Sequence, residues 1–152
     1  MSPSPKPLEF FCDRSLGRYK VPEGLRAAGW LVFTMVEVYG EAAARKLPDA
    51  QWLTEAGERD WVVLHKDTDI SQLHGGRPGP ELTALIRAGV RSFCLMSAKM
   101  NAAAETARFL REKAEIERIA STRPGPYAYG LYAQEMRCIW PPPDERQHGR
   151  PG

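Results

Sequence analysis

Apolar residues in this chain gather into short unbroken runs, and the segments between them repeat with helical spacing. The runs are LEFFC at 8–12, WLVFTMV at 30–36, WVVLH at 61–65 and VRSFCLM at 90–96. Apolar runs this short, bounded by turn residues and without polar alternation, predict strands buried on both faces. A helix is predicted over 21–28, with Pro22 in its first turn and Gly29 as its stop. Another opens at Pro48-Asp49 and closes at Gly57, and a third covers 80–88 before Gly89. The longest helical pattern covers 101–119, where Ala104, Ala107, Phe109, Leu110, Ala114, Ile116 and Ile119 offer an apolar side. The segment PYAYGLYAQEMRCIW predicts two short strands or a hairpin. Strands alternating with helices predict a mostly parallel central sheet in a three-layer α/β/α domain. In such sheets chemistry gathers at the carboxyl ends of the strands.

A chain of 152 residues suits one domain, expected over 8–140, and its 43% hydrophobic content is enough for a packed core. Residues 1–7 and the Pro/Gly-rich 141–152 are expected to be disordered tails. The net charge of +2 permits a polyanionic partner without demanding one. Cys12, Cys94 and Cys138 lack metal or disulfide spacing, and the first two lie in apolar runs as core residues. No apolar stretch of about 18 residues is available to span a membrane, and the start carries no leader pattern. The expected place is the cytoplasm, with no membrane contact.

The polar residues at the predicted strand ends are mostly acidic. Asp13 follows the first strand, Glu37 the second, and Lys66-Asp67 the third, with Asp69 two residues on. Asp49 starts the helix that feeds the third strand, where it either caps that helix or faces the same rim. Each acid alone is also what a turn or cap uses. Together they would repel one another unless a cation joined them. Hard carboxylate oxygens suit Mg²⁺, or Mn²⁺ in its place. An ion held this way activates water and stabilises charge developing on a phosphodiester.

The run DAQWLTEAGERDWVVLHKD, from Asp49 to Asp67, resembles the PIN-domain pattern of an acid, a helix, a strand and a further acid. FFCDRSLGR resembles that family's opening, a strand ending in its first acid. The resemblance is to the PIN-like domain of VapC-type toxins and covers roughly 8–126. It implies a Mg²⁺-dependent endoribonuclease, the toxin of a type II toxin–antitoxin system, restrained by a cognate antitoxin and able to form a homodimer. Asp13, Asp49 and Asp67 would match the family's metal-binding acids. Glu37, with Glu41 as its competitor, would complete the catalytic set.

RNA phosphates would meet the basic residues that flank these acids: Arg14, Arg18, Lys66 and Arg77, with Lys20 and Lys99 beyond them. The Gly/Pro-rich stretch 75–80 is either a lid over the site or a plain connector. Tyr127, Tyr129 and Tyr132 alternate as on a strand and are candidates for stacking on bases. No histidine is assigned a catalytic role, and His65 is expected to be structural. Two other classes compete. One is a PIN-like module that binds without cutting. The other is a receiver-like signalling domain, suggested by Ser97 and Lys99 but lacking the paired acids that it would need after the first strand.

Overall fold

The computed structural model describes residues 6–71, 73–96 and 99–142, Asp69 through its backbone only. The expected tails fall almost wholly outside these residues, as does Ser97.

The first apolar run forms β1 (Glu9–Cys12), which leads through a 3-10 turn (Arg14–Leu16) into α1 (Lys20–Ala27). Strand β2 (Leu31–Thr34) is followed by α2 (Met35–Tyr39), α3 (Glu41–Lys46) and α4 (Asp49–Glu58). Strand β3 (Val62–His65) runs through a second 3-10 turn (Thr68–Ile70) into a ribbon of β4 (Leu73–His74) and β5 (Arg77–Pro78). Helix α5 (Pro80–Ala88), β6 (Arg91–Leu95), α6 (Ala102–Arg111) and α7 (Lys113–Thr122) come next. The chain closes on β7 (Tyr127–Leu131) and β8 (Met136–Trp140).

The sheet order is β2-β1-β3-β6-β7-β8, parallel except for the antiparallel last strand. Alternation within each strand sends side chains to two separate cores. Phe10, Cys12, Val62, Leu64 and Phe93 pack with Leu25, Phe109 and Ile116, so α1, α6 and α7 cover one face. Phe11 and Val63 pack with Met35, Ala44, Trp52, Leu53, Leu82 and Leu85, so α2 to α5 cover the other. Both faces are therefore dry, which is why the strands read as continuous apolar runs. The expected three-layer architecture is present.

Two local expectations are corrected, and a third segment is defined. The second run ends as a strand at Thr34, because Thr34 caps α2: its Oγ1 accepts from Glu37 N at 3.2 Å, while Glu37 Oε1 accepts from Thr34 N at 2.9 Å. This reciprocal pairing satisfies two backbone donors at the helix start and outweighs the β preference of Val36 and Val38. The 101–119 pattern is two helices meeting at Glu112, which serves both as the last cap of α6 and the first of α7. The 75–80 stretch forms the turn and second strand of the β4–β5 ribbon and the start of α5.

Helices α4 and α5 approach so closely that a Cβ placed on Gly57 would stand 2.2 Å from the backbone oxygen of Ala88. An alanine would favour the helix by roughly 1 kcal/mol, but overpacking against backbone costs typically 1–3 kcal/mol. Gly57→Ala is therefore expected to lower the urea midpoint with an unchanged slope. A midpoint at or above the parent's would contradict this packing.

Candidate active site

The parallel register brings the carboxyl ends of three strands level. Cys12 lies beside Thr34 on one side and Leu64 on the other, and Asp13 N donates to Leu64 O at 3.2 Å. The exits of β1 and β3 are thus joined. Asp13 is buried, with 2% of its surface exposed. Its Oδ1 accepts from Ser15 N at 3.0 Å and from the Ser15 hydroxyl, capping the 3-10 turn. The same hydroxyl accepts from Lys66 N at 3.0 Å. A continuous chain of hydrogen bonds therefore runs from the β3 exit to the Asp13 carboxyl.

Burial pushes the Asp13 carboxyl up, Ser15 pulls it partly back, and the charges of Asp67 and Asp49 push it up again, to about 7. Of the expected acids, Asp67 and Asp49 are the two whose charges act on Asp13. Asp49 is the first residue of α4, after Pro48 at the cap position. Its Oδ1 accepts from Trp52 Nε1 at 2.9 Å and lies 3.8 Å from Arg14 Nη2. Arg14 also donates to Arg45 O at 3.0 Å and to Leu47 O, so it ties the β1 exit to the start of α4. Asp67 begins the turn after β3, its carbonyl accepting from Ile70 N at 3.1 Å. His65 Nδ1, 3.1 Å from the same carbonyl, must donate to it, since a carbonyl only accepts. Burial lowers the His65 ring to about 4, so it is neutral and holds the turn, as expected of a structural histidine.

Glu37 is engaged elsewhere. Its carboxylate sits in the α2 cap and 2.7 Å from Arg26 Nη2. Burial alone would raise it, but the hydrogen bonds from Arg26 and Thr34 outweigh that and hold it below its usual range. Glu41 pairs with Arg18 at 2.7 Å, beside Arg14 in the same cleft. Arg77 stands exposed on β5 and has no ion-pair partner among the described residues. Tyr127 is fully buried, and Tyr129 is packed beneath Arg123 with its hydroxyl accepting from that guanidinium at 2.6 Å. The stacking candidates at 127 and 129 are therefore core and framework residues.

One acid escaped the sequence reading. Glu105, in the first turn of α6, is buried and stands 2.6 Å from Lys66 Nζ. It lies four residues before Phe109, on the helix side that faces the core. A carboxylate on an apolar stripe was the available signal. Among the described residues, no three His, Cys, Asp or Glu side chains stand together as a ready metal cage.

The family described as a PIN like domain matches residues 8–97, more than half of the chain. The chain belongs to the PIN-like family. A protein of Mycobacterium tuberculosis (strain ATCC 25618 / H37Rv), named "Putative ribonuclease VapC45", is 36% identical over 126 residues, covering 83% of this chain and 87% of that protein. No solved structure matches. The match places the chain among VapC-type PIN-like domains and sets the receiver-like alternative aside. Asp13, Asp49 and Asp67 fall within the matched residues, whereas Glu105 lies beyond them. No helix among the described residues is long and apolar enough to cross a membrane.

The raised Asp13 carboxyl has a consequence for stability. Its folded value, about 7, lies above the ordinary 3.8, so the fold favours the protonated form. That contribution is present at low pH and is lost as pH rises from about 4 through 7, at up to about 1.4 kcal/mol for each pH unit in that window. In EDTA the Tm is expected to fall between pH 5 and pH 8, and Asp13→Asn, which keeps the oxygen that Ser15 needs, should flatten that fall. Identical pH profiles for both proteins would contradict it.

Proposed function

We propose that this PIN-like protein is a metal-dependent endoribonuclease, the toxin of a type II toxin–antitoxin pair, with a cognate antitoxin as partner. The observation that carries the reading is the buried Asp13 carboxyl, raised towards neutrality while Asp67 and Asp49 act on it. Like charges held together out of water favour a cation. The relative's printed name supports RNA as the substrate.

The donor set fits Mg²⁺, with Mn²⁺ as a substitute. Asp13 and Asp67, with Asp49 beside them, would hold the ion; Mg²⁺ commonly takes one or two carboxylates and keeps its waters, so a complete protein cage is not required. When bound, such an ion lowers the pKa of its water and draws off phosphate charge. The protein does the rest by positioning. Ser15 fixes the Asp13 carboxyl, His65 fixes the turn that carries Asp67, and Arg14 anchors the α4 start that carries Asp49. Lys66, held by Glu105 with its side chain 37% exposed, offers an ammonium to an RNA phosphate beside Asp67. Arg14 and Arg18 extend this positive rim, and Arg77, exposed on β5, is a further candidate for a phosphate contact.

A PIN-like module that binds RNA without cutting is the second reading, favoured by the lack of a three-residue metal cage among the described residues. One assay decides between them. Single-stranded RNA incubated with the protein should be cut in Mg²⁺ and left whole in EDTA. Asp13→Asn and Asp67→Asn should each slow cleavage by at least about 100-fold without lowering Tm. Cleavage by both variants at the parental rate, or cleavage in EDTA, would overturn the nuclease assignment.

A further inference from the structure

The segment that leaves β1 forms one wall of a mainly apolar cleft of about 240 Å³. Met35 and Val36, at the start of α2, contribute apolar surface, and Arg14, Arg18, Arg45 and Glu41 surround it. Met35 is buried, whereas the Arg45 side chain is 76% exposed, so the cleft is apolar within and charged at its mouth. Arg14 links it directly to the acids, since it follows Asp13 in the chain and its guanidinium lies 3.8 Å from Asp49.

We propose that this cleft receives one unstacked nucleobase of a single-stranded RNA, next to the phosphate presented to Asp13. The proposal rests on the ribonuclease reading and deepens it by naming the form of the substrate. The volume falls below the roughly 300–1,000 Å³ of pockets that enclose drug-sized ligands, and it suits one planar ring system. Every base has a π-face that an apolar wall and an arginine plane can cover, and unpaired bases can be splayed into such a site. Glu41 lies against Arg18 and Arg45, and Asp49 against Arg14, so three guanidinium groups meet two carboxylates and leave an excess of positive charge that complements a polyanion. A duplex cannot present a base in this way without breaking a pair.

The test uses fluorescein-labelled single-stranded RNA 12-mers and the full chain carrying Asp13→Asn, so that binding is read by anisotropy without cleavage. One nucleotide at a time is made abasic. Loss of the base at one position should weaken binding about tenfold or more, with smaller effects elsewhere, and the duplex of the same sequence should bind more weakly than the single strand. Adding Val36→Asn, with Tm checked, should level the positional profile. A level profile in the Asp13→Asn chain, no RNA binding, or a duplex bound as tightly as the single strand overturns the proposal. So does an unchanged profile in the Val36→Asn chain accompanied by conversion of a dimer to a monomer in sedimentation, which would make the cleft a contact between copies. Cleavage by the parent chain is measured separately. Position-dependent binding without cleavage supports the cleft and removes the ribonuclease reading, and cleavage with a level profile does the reverse.

Discussion

A carboxyl group taken out of water and set near two others of its kind is unfavourable unless something relieves it, by a proton, a hydrogen bond or a cation. Asp13 occupies that position at the exit of β1. The parallel register makes it unavoidable, because β1 is flanked by β2 and β3 and ends level with both. The sheet must be covered on both faces to bury Phe10 and Phe11, and that coverage removes water from the strand end as well. The same packing that stabilises the core therefore stores unfavourable electrostatics at the rim.

The surrounding contacts hold this arrangement in place more than they relieve it. Ser15 bridges the exits of β1 and β3 through the Lys66 amide, and Arg14 spans from the β1 exit to the start of α4. Lys66 in turn is held by a buried carboxylate from α6, so a fourth element reaches the rim. Such pairs are weak evidence for stability, since desolvation offsets their attraction. Their geometric effect is firmer: each fixes where a charge stands relative to Asp13.

Much of this was readable in the chain. Asp13 and Asp67 follow apolar runs, and level strand ends in a parallel sheet bring such residues together. Glu37 was not readable by that rule, since it assumed that the second run stays extended to Val36. The Thr34…Glu37 spacing carries the helix start that ended the strand, a local signal that competed with hydrophobicity. The break at Glu112 left no mark, because the apolar stripe continues through Phe109, Ile116 and Ile119 in both helices. Glu105 was hidden for a related reason: its helix follows β6 at a distance in sequence, and only the fold shows that its first turn meets Lys66. Tyr127 and Tyr129 alternate as a strand should, but period alone cannot tell a surface from a core when both faces are covered.

The metal-dependent reading proposed above requires the Asp13 rim to attract a divalent cation. Titration of Mn²⁺ into the protein at pH 8, followed by water-proton relaxation, tests it most directly and needs no RNA. Saturable binding is expected, weakened at least about tenfold in Asp13→Asn, while the fold is kept. Equal Mn²⁺ affinity in the two proteins, or no saturable binding by either, would contradict it.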